Sequence, residues 1–98
     1  MTELNIGDIT AADLKGVEWL KVNSESILGD ATTYWKIGVG EAGALVKKYD
    51  EHGDELKHGM NVSESVTALN NNTDSSAAAE VVDIERISAD ELPDGIGA

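Results

Sequence analysis

Three glycines in the stretch KIGVGEAGALVKKY, namely Gly38, Gly40 and Gly43, stand in the order G-x-G-x-x-G. That spacing can cradle a phosphate. The first glycine permits a tight turn, the second lets the backbone approach the anion, and the third lets a following helix pack closely with its N-terminal N–H groups facing the ligand. His52 and His58 lie among Asp50, Glu51, Asp54 and Glu55, residue types that suit Zn²⁺. Their six-residue separation does not put both imidazoles on one helical face, as a four-residue separation would, so a solvated pair is the simpler reading. Asn70, Asn72 and Asp74 alternate like the opening of a calcium loop. Ser75, however, stands at the sixth position, where glycine is needed, and Val81 at the twelfth, where a bidentate Glu is needed, so an asparagine-rich turn fits better.

Placed after a strand-like run and before a helix-like one, GVGEAG looks like a Rossmann fingerprint. With the later LNNNTD it resembles the first glycine loop and following strand end of tubulin-like GTPases, over Thr33 to Asp74. The resemblance implies a nucleotide-binding fragment with Gly38, Gly40 and Gly43 as the cradle. Against this, Glu41 puts a negative charge inside the loop, and no acidic residue ends a clear second strand at the usual distance of about 20 residues for a ribose. The glycines are equally explained by a bulge and a strand-to-helix turn.

The remaining chemical inventory is thin. The 98 residues include no cysteine, which excludes a disulfide, a thiolate zinc site and a cysteine nucleophile. There is no G-x-S-x-G elbow and no Walker A lysine. With 19 acidic and 7 basic residues, acid pairs are plentiful, but adjacency in such a chain does not define a general acid and base. The expectation is a non-enzymatic protein without a cofactor.

Charge narrows the partners. A formal net charge of −12 repels nucleic-acid phosphates and anionic membranes, so the expected partner is another protein with a basic or neutral surface, or further copies of the chain itself. MTELNIGDIT has neither a basic n-region nor an apolar h-region, and no stretch is long enough to span a bilayer. The expectation is a soluble protein of the cytoplasm or of a virion. All six lysines lie between Lys15 and Lys57, whereas from residue 74 onward Asp74, Glu80, Asp83, Glu85, Asp90, Glu91 and Asp94 face a single base, Arg86. Those seven acids are the expected partner-binding residues.

The elements that must position these residues are short. Thr10 followed by Asp13 resembles a capping box and predicts one or two helical turns through Leu14, with Gly16 as a stop. VEWLKVN, 17–23, predicts a strand covered on both faces, because Trp19 and Leu20 are adjacent and both apolar. SESILGD supplies turn chemistry before ATTYWKIGV, where Thr33, Trp35, Ile37 and Val39 share one strand face and Thr32, Tyr34, Lys36 and Gly38 the other. Ala42, Leu45, Val46 and Tyr49 then follow i, i+3, i+4, i+7, which predicts a helix; a hairpin of ALVKKY and DELKH about a DEHG turn is the rival. From Met60 a two-fold pattern through Val62, Val66 and Ala68 predicts a strand, ended by NNNTDSS. Residues 77–87 fit helix and strand equally, and SADELPDGIGA has a capping-box pattern from Ser88 to Glu91 but little to hold it.

Together these predict a small α+β domain, residues 1–73, with a few β-strands and one or two short helices, followed by an acidic C-terminal arm, 74–98. A chain this short buries only about 60% of its unfolded surface, so Trp19, Tyr34, Trp35 and Tyr49 mark its core. The expected role is an assembly component such as a small structural or decoration protein of a phage particle, completed by neighbouring subunits. The alternatives are an acidic DNA mimic that occupies the groove of a nucleic-acid-binding protein, and a nucleotide-binding fragment.

Overall fold

Strand alternation builds the centre of the molecule. Leu20 and Val22 point to one side of a strand and Trp19 to the other, while Trp35 and Tyr34 divide the same way on the next strand. The computed structural model describes residues 2–3, 7–14, 19–26, 29–39, 45–55, 60–71, 73–74, 79–93 and 96. In chain order they form β1 (Thr2–Glu3), α1 (Ala11–Leu14), β2 (Trp19–Ser26), β3 (Gly29–Val39), β4 (Leu45–Tyr49), β5 (Met60–Asn61), α2 (Val62–Asn70), β6 (Thr73–Asp74), β7 (Ala79–Ile87) and a 3₁₀ turn (Ala89–Glu91). The sheet order is β1-β7-β2-β3-β4-β5, with β6 also on β7, and every pairing is antiparallel. This is the small α+β architecture expected, with two short α-helices.

One face of the sheet carries the main core. Leu20, Val22, Trp35, Val46, Val81 and Ile84 meet Leu69 of α2 together with Leu14 and Ile9, and Ile37, Val62 and Val66 fill the margin. Polar residues are built into this side of the molecule as well: Ser24, Thr33, Lys48 and Ser65 are buried. The Trp35 indole donates to the Thr33 hydroxyl at 2.9 Å. Lys48 is fully buried, with its ammonium 4.0 Å from the centre of the Trp35 ring, close enough for a cation–π contact. Asn70, at the end of α2, accepts from the backbone N–H of Ile9 at 2.9 Å and of Gly7 at 3.2 Å and donates to the Ile9 carbonyl at 2.7 Å. The first asparagine of the polar run thus pins the helix to the segment before α1.

Several local expectations are corrected. The helix expected over Ala42–Tyr49 is strand β4 at 45–49: Val46 and Lys48 are buried and Leu45 and Lys47 exposed, a period of two. Of the rival hairpin the structure shows the first strand, a turn at 50–53 and a bridge from Tyr49 to Glu55; residues 40–44 and 56–59 lie outside those described. The strand expected from Met60 is helix α2 from Val62 onward. Asn61 accepts from the Glu64 backbone N–H at 2.7 Å and Glu64 reaches back to the Asn61 N–H at 3.4 Å, a capping box that outweighs the two-fold apolar pattern. NNNTDSS therefore begins on the last residue of a helix. Residues 79–87, whose pattern suits helix and strand alike, are strand β7.

The segment expected as an acidic arm contributes to the sheet itself. β7 lies between β1 and β2, and its Val81, Ile84 and Ile87 are buried. Beyond β7 the chain is also held: Ile96 is buried with Trp19, Tyr34 and Ile87, and Leu92 and Tyr49 pack against that second cluster. The strands β2 and β3 run further into SESILGD than its turn residues suggest, meeting at Ser26 and Gly29. Thr10 and Asp13 close the expected cap on α1, with the Thr10 N–H donating to the Asp13 carboxylate at 2.9 Å; Gly16 lies outside the described residues.

Candidate interaction surface on the second face of the sheet

Because successive side chains alternate, the face opposite α2 is set by register, and its four rows run across the strands. At one end Ile87, Trp19, Lys36 and Lys47 lie abreast. The next row is Glu85, Lys21, Tyr34 and Tyr49, and beyond it lie Asp83, Asn23 and Thr32. The far row is Glu80, Glu25 and Asp30, three carboxylates on three adjacent strands. A bulge opposite Asn23 and Ser24 keeps Asp83 and Glu80 on this face and leaves Val82 exposed. The face is therefore graded, lysines at one end and carboxylates at the other.

Each end has its own support. At the basic end the Lys36 ammonium lies 5.8 Å from the Trp19 ring centre, Trp19 and Tyr49 rings are 5.7 Å apart, and Lys47 pairs with Glu55 at 3.6 Å. The middle is ordered by a hydrogen-bonded chain: Thr32 Oγ1 donates to Asn23 Oδ1 at 2.7 Å, and Asn23 Nδ2 donates to Asp83 Oδ1 at 2.6 Å. Glu51, from the turn after β4, accepts from the Thr32 N–H at 3.0 Å. Glu25, Asp30 and Glu80 are exposed, and like charges directly opposite each other in a sheet repel. A sheet that gains nothing in stability from this row presents it for another purpose or tolerates it.

Of the acids expected to bind a partner, the structure brings Glu80, Asp83 and Glu85 together along β7 and sets exposed Asp90 and Glu91 beyond Ile87 at the opposite end. Asp74 belongs to β6, and Asp94 lies outside the described residues. Sequence reasoning missed Glu25 and Asp30. Their signal was their symmetric position about the β2–β3 turn, which becomes visible once that hairpin is in register.

Of the glycine loop, Gly38 serves the bulge that was one of the two readings of the motif. Gly38 has a φ of +79° at the irregularity between Ile37 and Val39 where β3 meets β4, a conformation that favours glycine. Gly40 and Gly43 lie outside the described residues. Residues 45–49 form a strand, so no helix N-terminus is supplied there. His52 is exposed and its backbone N–H is tied to Asp50, while His58 is outside the described residues. Among the described residues no group of three His, Asp or Glu side chains is placed to hold a metal, and no helix is long and apolar enough to cross a membrane.

Fold and surface together define a small α+β domain with helices on one face of an antiparallel sheet and a charge-graded second face. No protein family, curated protein or solved structure matches the chain.

Proposed function

We propose that this chain is a non-enzymatic interaction module, an assembly component of the kind that decorates or completes a particle such as a phage virion. The observation that carries the reading is the Glu80, Glu25 and Asp30 row, exposed on one face of three adjacent strands. A neighbouring subunit with a basic or neutral surface would relieve the repulsion within that row, so binding and stability would be linked. The purified chain tests this by light scattering over rising concentration, then by retention of basic proteins. Association is expected, and a Glu25→Lys/Glu80→Lys variant should lose it. A chain that stays monomeric and retains nothing overturns the reading.

A second reading draws on the same row. Carboxylates abreast on strands about 4.8 Å apart, continued by Asp83 and Glu85 along β7, present acceptors to a groove that normally holds nucleic-acid phosphates. A DNA mimic of this kind releases its partner to excess duplex DNA; an assembly component does not.

A further inference from the structure

The first part of β3 has a strand on one side only. From Gly29 to Thr33 it pairs with β2, in register from Ser26 to Val22, whereas β4 reaches only as far as Tyr49, opposite Tyr34. There the chain turns at 50–53 and comes back on the far side of β4, where Glu55 bridges Tyr49. Among the described residues, no strand lies beside β3 in the lane beyond Tyr49.

The direction of the backbone follows from one hydrogen bond. The Thr32 N–H points into that lane, where it donates to the Glu51 carboxylate at 3.0 Å. In an antiparallel sheet the N–H and C=O of one residue point the same way, and the direction repeats at every second residue. The Thr32 C=O and both backbone groups of Asp30 therefore face the same lane, and among the described residues none of them has a strand partner. An open ladder edge is a site for strand addition, which a charged side chain can blunt. Glu51 does so at Thr32: its carboxylate stands where the carbonyl of an added strand would accept.

Side chains specify the occupant. Asp30 and Thr32 face the second side of the sheet, and Asp30 ends the row begun by Glu80 and Glu25. An added strand places one residue directly opposite Asp30, as a fourth member of that row, and another opposite Thr32, beside Glu51. A basic side chain at each position meets a carboxylate. The residue between them falls on the other face beside half-buried Ala31, which suits an aliphatic side chain.

We propose that β3 takes an extended segment of a neighbouring protein at Asp30–Thr32, added antiparallel, with Lys or Arg opposite Asp30 and Thr32 and an aliphatic residue between. The inference rests on the reading that another protein meets the carboxylate row, and it names how that protein is held. On binding, the carbonyl of the residue opposite Thr32 takes the Thr32 N–H, and Glu51 is released to the incoming basic side chain.

Terminally blocked pentapeptides test this on the full chain: Lys-Val-Lys-Val-Lys, the same peptide N-methylated at its lysines, and the same peptide N-methylated at its valines. In the proposed register the lysine N–H groups face β3 and the valine N–H groups face away, so the three share charge and differ in pairing. Isotope-labelled chain is titrated with each at low ionic strength and followed by NMR. The unmethylated and valine-methylated peptides should shift the Asp30 and Thr32 amide resonances and slow exchange of the Asp30 N–H. The lysine-methylated peptide should bind about tenfold more weakly, for want of the pairing hydrogen bonds.

Equal binding of all three peptides overturns strand addition, because charge alone then holds them, and leaves the assembly reading standing. Shifts confined to other residues, or no shift at millimolar peptide, overturn it as well. Retention of basic proteins by the same chain then decides the assembly reading separately.

Discussion

The two faces of the sheet are made by the same strands and differ in almost every physical respect. Under α2 the face is mainly apolar: Leu20, Val22, Trp35, Val46, Val81 and Ile84 close on Leu69, Leu14 and Ile9. Among the described residues, the opposite face is sealed around Trp19, Tyr34 and Ile87 by Ile96 and Leu92, and continues into a polar middle and a carboxylate row. The first face is where folding free energy is gained. The second carries a smaller cluster of its own and, beyond it, carboxylates that face one another across the strands and oppose folding, the groups on which the proposed partner would act.

That contrast predicts a steep difference in the cost of substitution. Trp35→Ala removes the largest buried side chain of the α2 face, its bond to Thr33 and the ring beneath Lys48. A loss of about 3–5 kcal/mol is expected, comparable with the whole stability of a domain this small, so the variant should be largely unfolded by circular dichroism at 25 °C. Ile96→Ala, beyond β7, should cost about 2 kcal/mol and leave a cooperative urea transition. In a Trp35→Phe background, Trp19 alone reports the packing of Ile96, and its emission should move to longer wavelength in Ile96→Ala. Equal losses at Trp35 and Ile96 would erase the distinction between the faces.

The sequence made the α2 face legible where one strand's period dominated. Thr33, Trp35 and Ile37 fall on the side expected of them, and the adjacent pair Trp19 and Leu20 correctly signals a strand covered twice. It misled where two periods overlap. Ala42, Leu45, Val46 and Tyr49 suit a helix, but Val46 and Lys48 suit a strand only if a lysine is buried, and the buried Lys48 ammonium meets a ring from another strand. The carboxylate row was illegible for a related reason: Glu25 and Asp30 flank one hairpin, but Glu80 is some 50 residues away in sequence and joins them through register alone.

Smaller effects sharpen the comparison. Asn61→Ala removes the side-chain acceptor that starts α2 and should cost about 1 kcal/mol by urea denaturation. Asn61→Asp should recover most of it, since a carboxylate accepts the same N–H; failure to recover would point to a role for Asn61 beyond the cap. On the core side of β2, the Ser24 hydroxyl is buried without a hydrogen-bond partner. Ser24→Ala should therefore be neutral or stabilising by up to about 1 kcal/mol, whereas the same change at Ser65, whose hydroxyl donates to the Asn61 carbonyl at 2.9 Å, should destabilise.

The smallest change addresses the open face directly. Glu25 stands between Glu80 and Asp30, with a like charge directly opposite on each side. Glu25→Gln keeps the shape and removes both repulsions, so stability should rise by about 0.5 kcal/mol at low ionic strength. The gain should vanish near 1 M salt, where the screening length falls to about 3 Å. A surface kept for a partner adds an opposite sign in binding: the variant that folds better should hold a basic or neighbouring subunit less tightly. If Glu25→Gln instead loses stability at low salt, the row is held by favourable contacts and the reading of this face as a site of unrelieved charge fails. If stability rises and association is untouched, the row is tolerated and the partner sits elsewhere.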